Sequence, residues 1–274
     1  GAGLATAFNA PIAGTVFVLE ELVRRFDTRG AIGAFGASAG AIAVSRLFLG
    51  DQPDFYVAPL PFPDSATIPL HLLLGALAGL AGIVYNRAIL GALAVTGRFP
   101  PWTVELRAAV IGASVGLVAW FAPGLVGGGD PLTQRTLAGN ETVSWLVLVF
   151  LLRFAMGPVC YAARTPGGLF APMLVLGVQG GLLYGNLCSQ WAADLAPDPR
   201  AMAVVGMAAF FTAVVRSPLT GIVLAIELTG CLTLLLPMLS ACFAAMLVPT
   251  LLGEPPIYDS LRENTLRLQD QAGS

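Results

Sequence analysis

The chain has 274 residues, 56% of them hydrophobic and 11% charged, with a net charge of −2 and a mean hydropathy of +0.79. Soluble domains carry about 25% charged residues, so this chain lacks the polar surface to stay wetted and reads as an integral membrane protein. Its basic residues are all arginine and do not outnumber the acids, a balance that gives no support to nucleic-acid binding, which needs a basic face.

In chain order, the opening stretch GAGLATAFNAPIAGTVFVLEEL is uncharged until Glu20 and Glu21. It has neither the basic start nor the cleavage pattern of a signal peptide. It begins on Gly inside an apolar run, without an initiator Met, and the expectation is that an upstream part is missing. Further apolar runs cover 31–50, 67–97, 104–122, 143–163, 169–193, 201–228 and 230–252. Crossing a bilayer takes roughly 17–25 residues of helix, so each run is a candidate span of one polytopic all-α domain over 1–274. Pro158, Pro172, Pro218 and Pro237 fall inside these runs and predict broken helices, which membranes tolerate where the freed backbone is buried or lines a cavity. Residues 51–66 are a Pro-rich polar loop, 127–141 a re-entrant or tightly turned segment, and the tail from Arg262 a polar helix.

An internal echo runs through this pattern. NAPIAGTVFVLEEL (9–22) returns as RSPLTGIVLAIELTG (216–230), with Pro11 on Pro218, Gly14 on Gly221 and Glu20 on Glu227 at a constant spacing of 207. Weak internal symmetry of this kind marks the repeats of secondary transporters, although Pro-x-x-Gly before an apolar run also recurs by chance.

Two motifs can carry chemistry. In TPGGLFAPMLVLG (165–177), Pro166, Gly167 and Gly168 make an irregular approach, and Pro172 falls where a helix would begin. Pro suits a first turn because its missing N–H would be orphaned there. The N–H groups around Leu169 and Phe170 would then project from a positive helix end, an anion site made of backbone. A glycine kink in a packed helix reads the same way. In EPPIYDSLRENTL (254–266), Pro255 and Pro256 end one helix and Tyr258 starts the next. Its phenol could face an anion or serve as an interfacial anchor.

Other residues read as structural. GASAG (36–40) matches G-x-S-x-G, but Ser38 lies in a helical run rather than at the strand-to-helix turn of a serine hydrolase. Gly33, Gly36, Ala37, Gly40 and Ala41 form small-residue faces for close helix packing. The four cysteines stand singly and His71 is the sole histidine, so neither a metal site nor a cofactor is expected. Arg153 and Arg216 are expected to tie down backbone or loop ends.

With both motifs in view, the chain resembles the chloride channel and chloride/proton antiporter family. GGLFAP (167–172) is similar to that family's G-x-F-x-P anion-binding element, and NAPIAGTVFVLEEL, SPLTGIVLAIELTG and PPIYDSL follow in the family's order. The resemblance implies a transporter fold of two inverted halves and a homodimer with one pore per subunit. It further implies chloride and protons as the species moved, surrounding lipid, no cofactor, no enzymatic activity, and a bacterial plasma membrane as location. Gly168, Leu169, Phe170, Ala171 and Tyr258 would line the anion site, with the backbone of Leu169 and Phe170 and the Tyr258 hydroxyl as ligands. The family's G-R-E-G-P and G-S-G-I-P segments do not occur here, so the chain is expected to be the C-terminal three fifths of a transporter, with no regulatory module after Ser274.

Glu21 aligns with the glutamate that passes protons at the cytoplasmic side of the family's exchangers, and Glu20 would hydrate or tune it. Alternatively both cap a helix at the interface beside Arg24 and Arg25. The leading expectation is chloride/proton exchange. A passive channel, a fluoride exporter, an intramembrane hydrolase centred on Ser38 and a merely structural bundle stand as alternatives. The run 31–50 and helices at 11–20 and 218–252 are the expected dimer surface.

Overall fold

The computed structural model describes residues 1–24, 27–50, 52–97, 104–139, 141–165, 167–191 and 197–273, and among these there is no strand. The helices are α1 (Ala2–Ala7), α2 (Pro11–Phe17), α3 (Thr28–Leu49), α4 (Ile68–Gly97), α5 (Val104–Phe121) and α6 (Asp130–Leu137). They continue with α7 (Val143–Ala162), α8 (Phe170–Trp191), α9 (Pro199–Val215), α10 (Pro218–Thr229), α11 (Leu235–Leu251) and α12 (Ile257–Gly273). A wide π-helical turn, Val18–Val23, prolongs α2. Helices α3, α4, α5, α7, α8 and α11 are long and apolar enough to cross a membrane.

Three of the four prolines stand in the first turn of a helix and one does not. The single run 201–228 is cut at Arg216 and Ser217, and Pro218 opens α10 at the first helical position. Pro172 lies in the first turn of α8. Pro158, by contrast, sits inside a continuous α7, and Pro237 lies in the first turn of α11, where a missing N–H costs nothing. The segment 127–141 holds a turn at Gly127–Gly129 followed by the short α6, whose Leu132, Thr133, Thr136 and Leu137 are buried.

Helix α9 is the centre of the bundle, with every residue from Ala201 to Val215 buried. It packs on α8 at backbone distance: a β-carbon at Gly181 would strike the Met202 carbonyl, and one at Gly206 the Gly177 carbonyl. Small residues let helices approach this closely where lipid supplies no hydrophobic drive. Helix α4 lies across α9 and α11. Helices α3 and α5 are peripheral, α5 with no buried residue at all.

Candidate functional site

The start of α8, the end of α2 and the start of α12 meet through their aromatic rings. Leu169 stands just before α8, its carbonyl accepting the Met173 N–H at 3.1 Å, so the N–H groups of the first turn have no acceptor within the helix. Leu169 is buried, Phe170 and Ala171 half-buried, Gly168 exposed; Pro166 lies outside the described residues. The Phe170 ring meets Phe17 at 4.9 Å, Phe211 at 5.0 Å and Phe8 at 5.8 Å. Tyr258, in the first turn of α12, meets Phe17 edge-on at 6.4 Å. Phe17 thus joins the two candidate anion elements, which lie far apart in the chain. Gly168 and Leu169 line a cavity of about 270 Å³ together with Tyr85, Arg153 and Tyr161. Thr165 and Gly167 continue from it into a second cavity of about 420 Å³ beside α12. Ala171 lines a third, of about 160 Å³, with Asp54 and Asp130.

The two adjacent acids do different things. Glu20 crosses to the start of α10, where its carboxylate accepts the N–H groups of Leu219 (3.1 Å) and Thr220 (2.8 Å) and the Thr220 hydroxyl (2.7 Å). A carboxylate at a helix start answers both the orphan donors and the helix dipole. Glu227 makes the mirror-image contact, accepting from the N–H groups of Ile12 (3.0 Å) and Ala13 (2.7 Å) at the start of α2. Leu219 and Thr220 are Ile12 and Ala13 displaced by 207, the spacing that relates Glu20 to Glu227. Each helix therefore caps the other's N-terminus with its own C-terminal acid, which makes α2 and α10 antiparallel and places a local two-fold axis between them. The correspondence extends further: Asn9 and Arg216, again 207 apart, both take the left-handed backbone that ends the preceding helix.

Glu21 is turned elsewhere. Its side chain is only 6% exposed, with one oxygen 2.7 Å from Arg24 Nη2 and the other accepting the Ser217 hydroxyl at 3.2 Å. Arg24 in turn reaches Asp259 in the first turn of α12. Glu21 lies outside the six spanning helices; burial pushes its carboxyl up, against Arg24 and Ser217, which hold it down. Ser217 and Asp259 carry no motif that singles them out in the sequence. The 207-residue echo pointed at Glu227; nothing in the chain order pairs Glu21 with Ser217 or Arg24 with Asp259.

A family model described as voltage gated chloride channel matches residues 1–250. The chain belongs to that family. Two relatives, each an H(+)/Cl(-) exchange transporter ClcA, are 37% identical over 275 residues (Cronobacter sakazakii) and 35% over 276 residues (Yersinia pestis). The chain is covered to 98% and 99% in these matches but spans only 59% and 58% of the relatives' own length. A slow cyanobacterial Cl−/H+ antiporter of known structure superposes with a TM-score of 0.92 at 31% identity, over 98% of this chain and 64% of that one. A CLC-type fluoride/proton antiporter shares the fold alone, at 19% identity and a TM-score of 0.74, over 90% of this chain and 60% of that one.

Within a chloride channel family fold, the remaining candidates have plain duties. Ser38 is buried in the middle of α3 against Gly1, not at a strand-to-helix elbow, which removes the geometry a hydrolase would need. Arg153 donates to the Gly127 carbonyl at 3.0 Å and pins the turn before α6. Arg216 ties the end of α9 to α11 and its exit, through the Ala213 and Glu254 carbonyls and the Thr250 hydroxyl.

Proposed function

We propose that the protein exchanges chloride for protons across a membrane, with anions meeting the start of α8 and Tyr258 and protons passing through Glu21. One observation carries this reading: of two adjacent acids, Glu20 is consumed by a helix cap while Glu21 is held buried, singly paired, beside the aromatic cluster that joins Phe170 to Tyr258. A buried carboxylate that serves no cap is what a proton path separate from an anion path requires. The relatives' names point the same way, and because the chain spans about three fifths of their length, the whole protein's activity is inferred rather than read off. The helix start offers an anion N–H donors without a full positive charge, which permits binding and rapid release.

The test is to reconstitute the full-length protein in chloride-loaded liposomes and record both fluxes, with and without Glu21→Gln. Uphill proton movement driven by chloride, lost in Glu21→Gln while chloride still flows, is the expected result. Because burial raises the Glu21 carboxyl, proton uptake should persist to higher pH than an ordinary carboxylate allows, and fall as pH rises further. Chloride flux with no proton movement in either form would make the protein a passive channel, and preference for fluoride a fluoride exporter. We further propose a homodimer through α3, where a β-carbon at Gly33, Gly36 or Gly40 would meet nothing of this chain within 4 Å and Phe35 and Phe48 are exposed. Gly36→Trp should lower the dimer fraction in cross-linking.

A further inference from the structure

We propose that Arg24 and Asp259 are positioning residues that couple proton occupancy of Glu21 to the first turn of the helix bearing Tyr258. The inference rests on the reading of Glu21 as proton relay and Tyr258 as anion ligand given above.

The geometry is a single guanidinium shared between two carboxylates on separate elements. Arg24 Nη2 lies 2.7 Å from Glu21 Oε1 and 2.7 Å from Asp259 Oδ1, while Nη1 donates to Asp259 Oδ2 at 3.0 Å. Arg24 Nε donates to the Glu21 carbonyl at 3.1 Å, so the side chain folds back over the turn it closes. Arg24 also takes a left-handed backbone (φ +52°), an unfavourable conformation for a residue with a side chain. Glu21 and Arg24 stand three residues apart at the end of the π-turn of Val18–Val23, a kind of distortion frequent at functional sites.

The bridge is not a stability device. The Arg24 and Asp259 side chains are 45% and 33% exposed, and pairs that open to water contribute little. Its consequence is positional. Segment 17–24 touches the first turn of α12 twice, through Phe17 on Tyr258 and through Arg24 on Asp259. While Glu21 is ionised, the guanidinium divides its charge between two acids. When Glu21 takes a proton, the attraction on that side lapses and the fork passes wholly to Asp259, next to Tyr258. Among the described residues, the other polar groups close to Glu21 are the Ser217 hydroxyl and the Tyr258 phenol, itself near Tyr161. Glu20 faces α10 instead.

The test uses the full-length protein in liposomes, with both fluxes recorded across a pH series for wild type, Arg24→Gln, Asp259→Asn and the double variant. Chloride flux should stay within about twofold of wild type throughout. Proton flux should fall about five- to tenfold in Arg24→Gln, the size of a modest coupling energy. The double variant should be no worse than Arg24→Gln alone, because both substitutions cut one link. The deciding readout is the pH midpoint of proton flux. Arg24→Gln removes the cation that holds Glu21 down and should move the midpoint up. Asp259→Asn frees that cation for Glu21 alone and should move it down. Shifts in the same direction, no shifts, additive losses, or chloride and proton flux falling together would overturn the proposal. A wild type that couples, and whose Glu21→Gln loses protons, while the Arg24 and Asp259 variants behave as wild type, sinks this inference and leaves the exchanger reading standing. An uncoupled wild type sinks both.

Discussion

Segments 9–22 and 216–230 are two editions of one device, and they differ at one informative position. Both start with a left-handed residue, then a Pro at the first helical position, then a glycine against the preceding helix, then an acid that crosses to cap the partner. The glycine contacts correspond too: Gly14 lies on Gly1 and Ala5, Gly221 on Ala208 and Thr212, their counterparts 207 residues on. After the capping acid the copies part. The first unwinds into a π-turn and presents Glu21, whereas the second continues as α-helix and places Leu228, 1% exposed, in the same register. What the copies share is therefore the clamp, and what one of them adds is the ionisable group.

The severest way to break that comparison is to erase the difference. Leu228→Glu would bury an acid with no arginine to meet it, and should destabilise by about 3–5 kcal/mol, the cost of an uncompensated buried charge. The reverse change, Glu21→Leu, should cost under about 1 kcal/mol, because the Arg24 left behind is 45% exposed and keeps Asp259, yet it should abolish proton flux. Thermal unfolding in detergent read beside flux separates the two. Next come the caps. Glu20→Ala and Glu227→Ala each strand backbone donors at a helix start and should each cost about 2–3 kcal/mol, since bonds to a charged group are the strong ones. Similar losses at both sites would sharpen the two-fold relation; a loss confined to one would break it. The last comparison is at the glycines. A β-carbon at Gly14 would lie 2.7 Å from the Gly1 carbonyl, and one at Gly221 2.8 Å from the movable Thr212 hydroxyl. Alanine there should cost about 1–3 kcal/mol by overpacking, with Gly14→Ala the worse because backbone cannot step aside.

Much of this architecture was legible in the chain. The spans follow from hydropathy, and the 207-residue echo located both halves of the clamp. What the echo could not show was where the acids point. Adjacent helical residues do not face one another, so a Glu-Glu pair read as one unit is in fact two groups directed at separate partners. Pro158 was misleading for a related reason: a proline marks a lost donor, and only tertiary packing decides whether the helix survives it. Arg216 and Ser217 looked like the interior of one long run, and the break became visible only as a left-handed residue. The Arg24–Asp259 bridge joins positions 235 residues apart, beyond any local pattern.

The swapped caps also bear on how the molecule is made. Ile12 and Ala13 are synthesised before the carboxylate that answers their N–H groups, which arrives with Glu227, more than 200 residues later. Until then the first helix start lacks the carboxylate that caps it, and backbone left unsatisfied away from water is costly. Loops this long close slowly. The first half of the clamp thus waits, unfinished, on the ribosome's completion of the second, and any chain halted before Glu227 carries an exposed flaw for quality control to find.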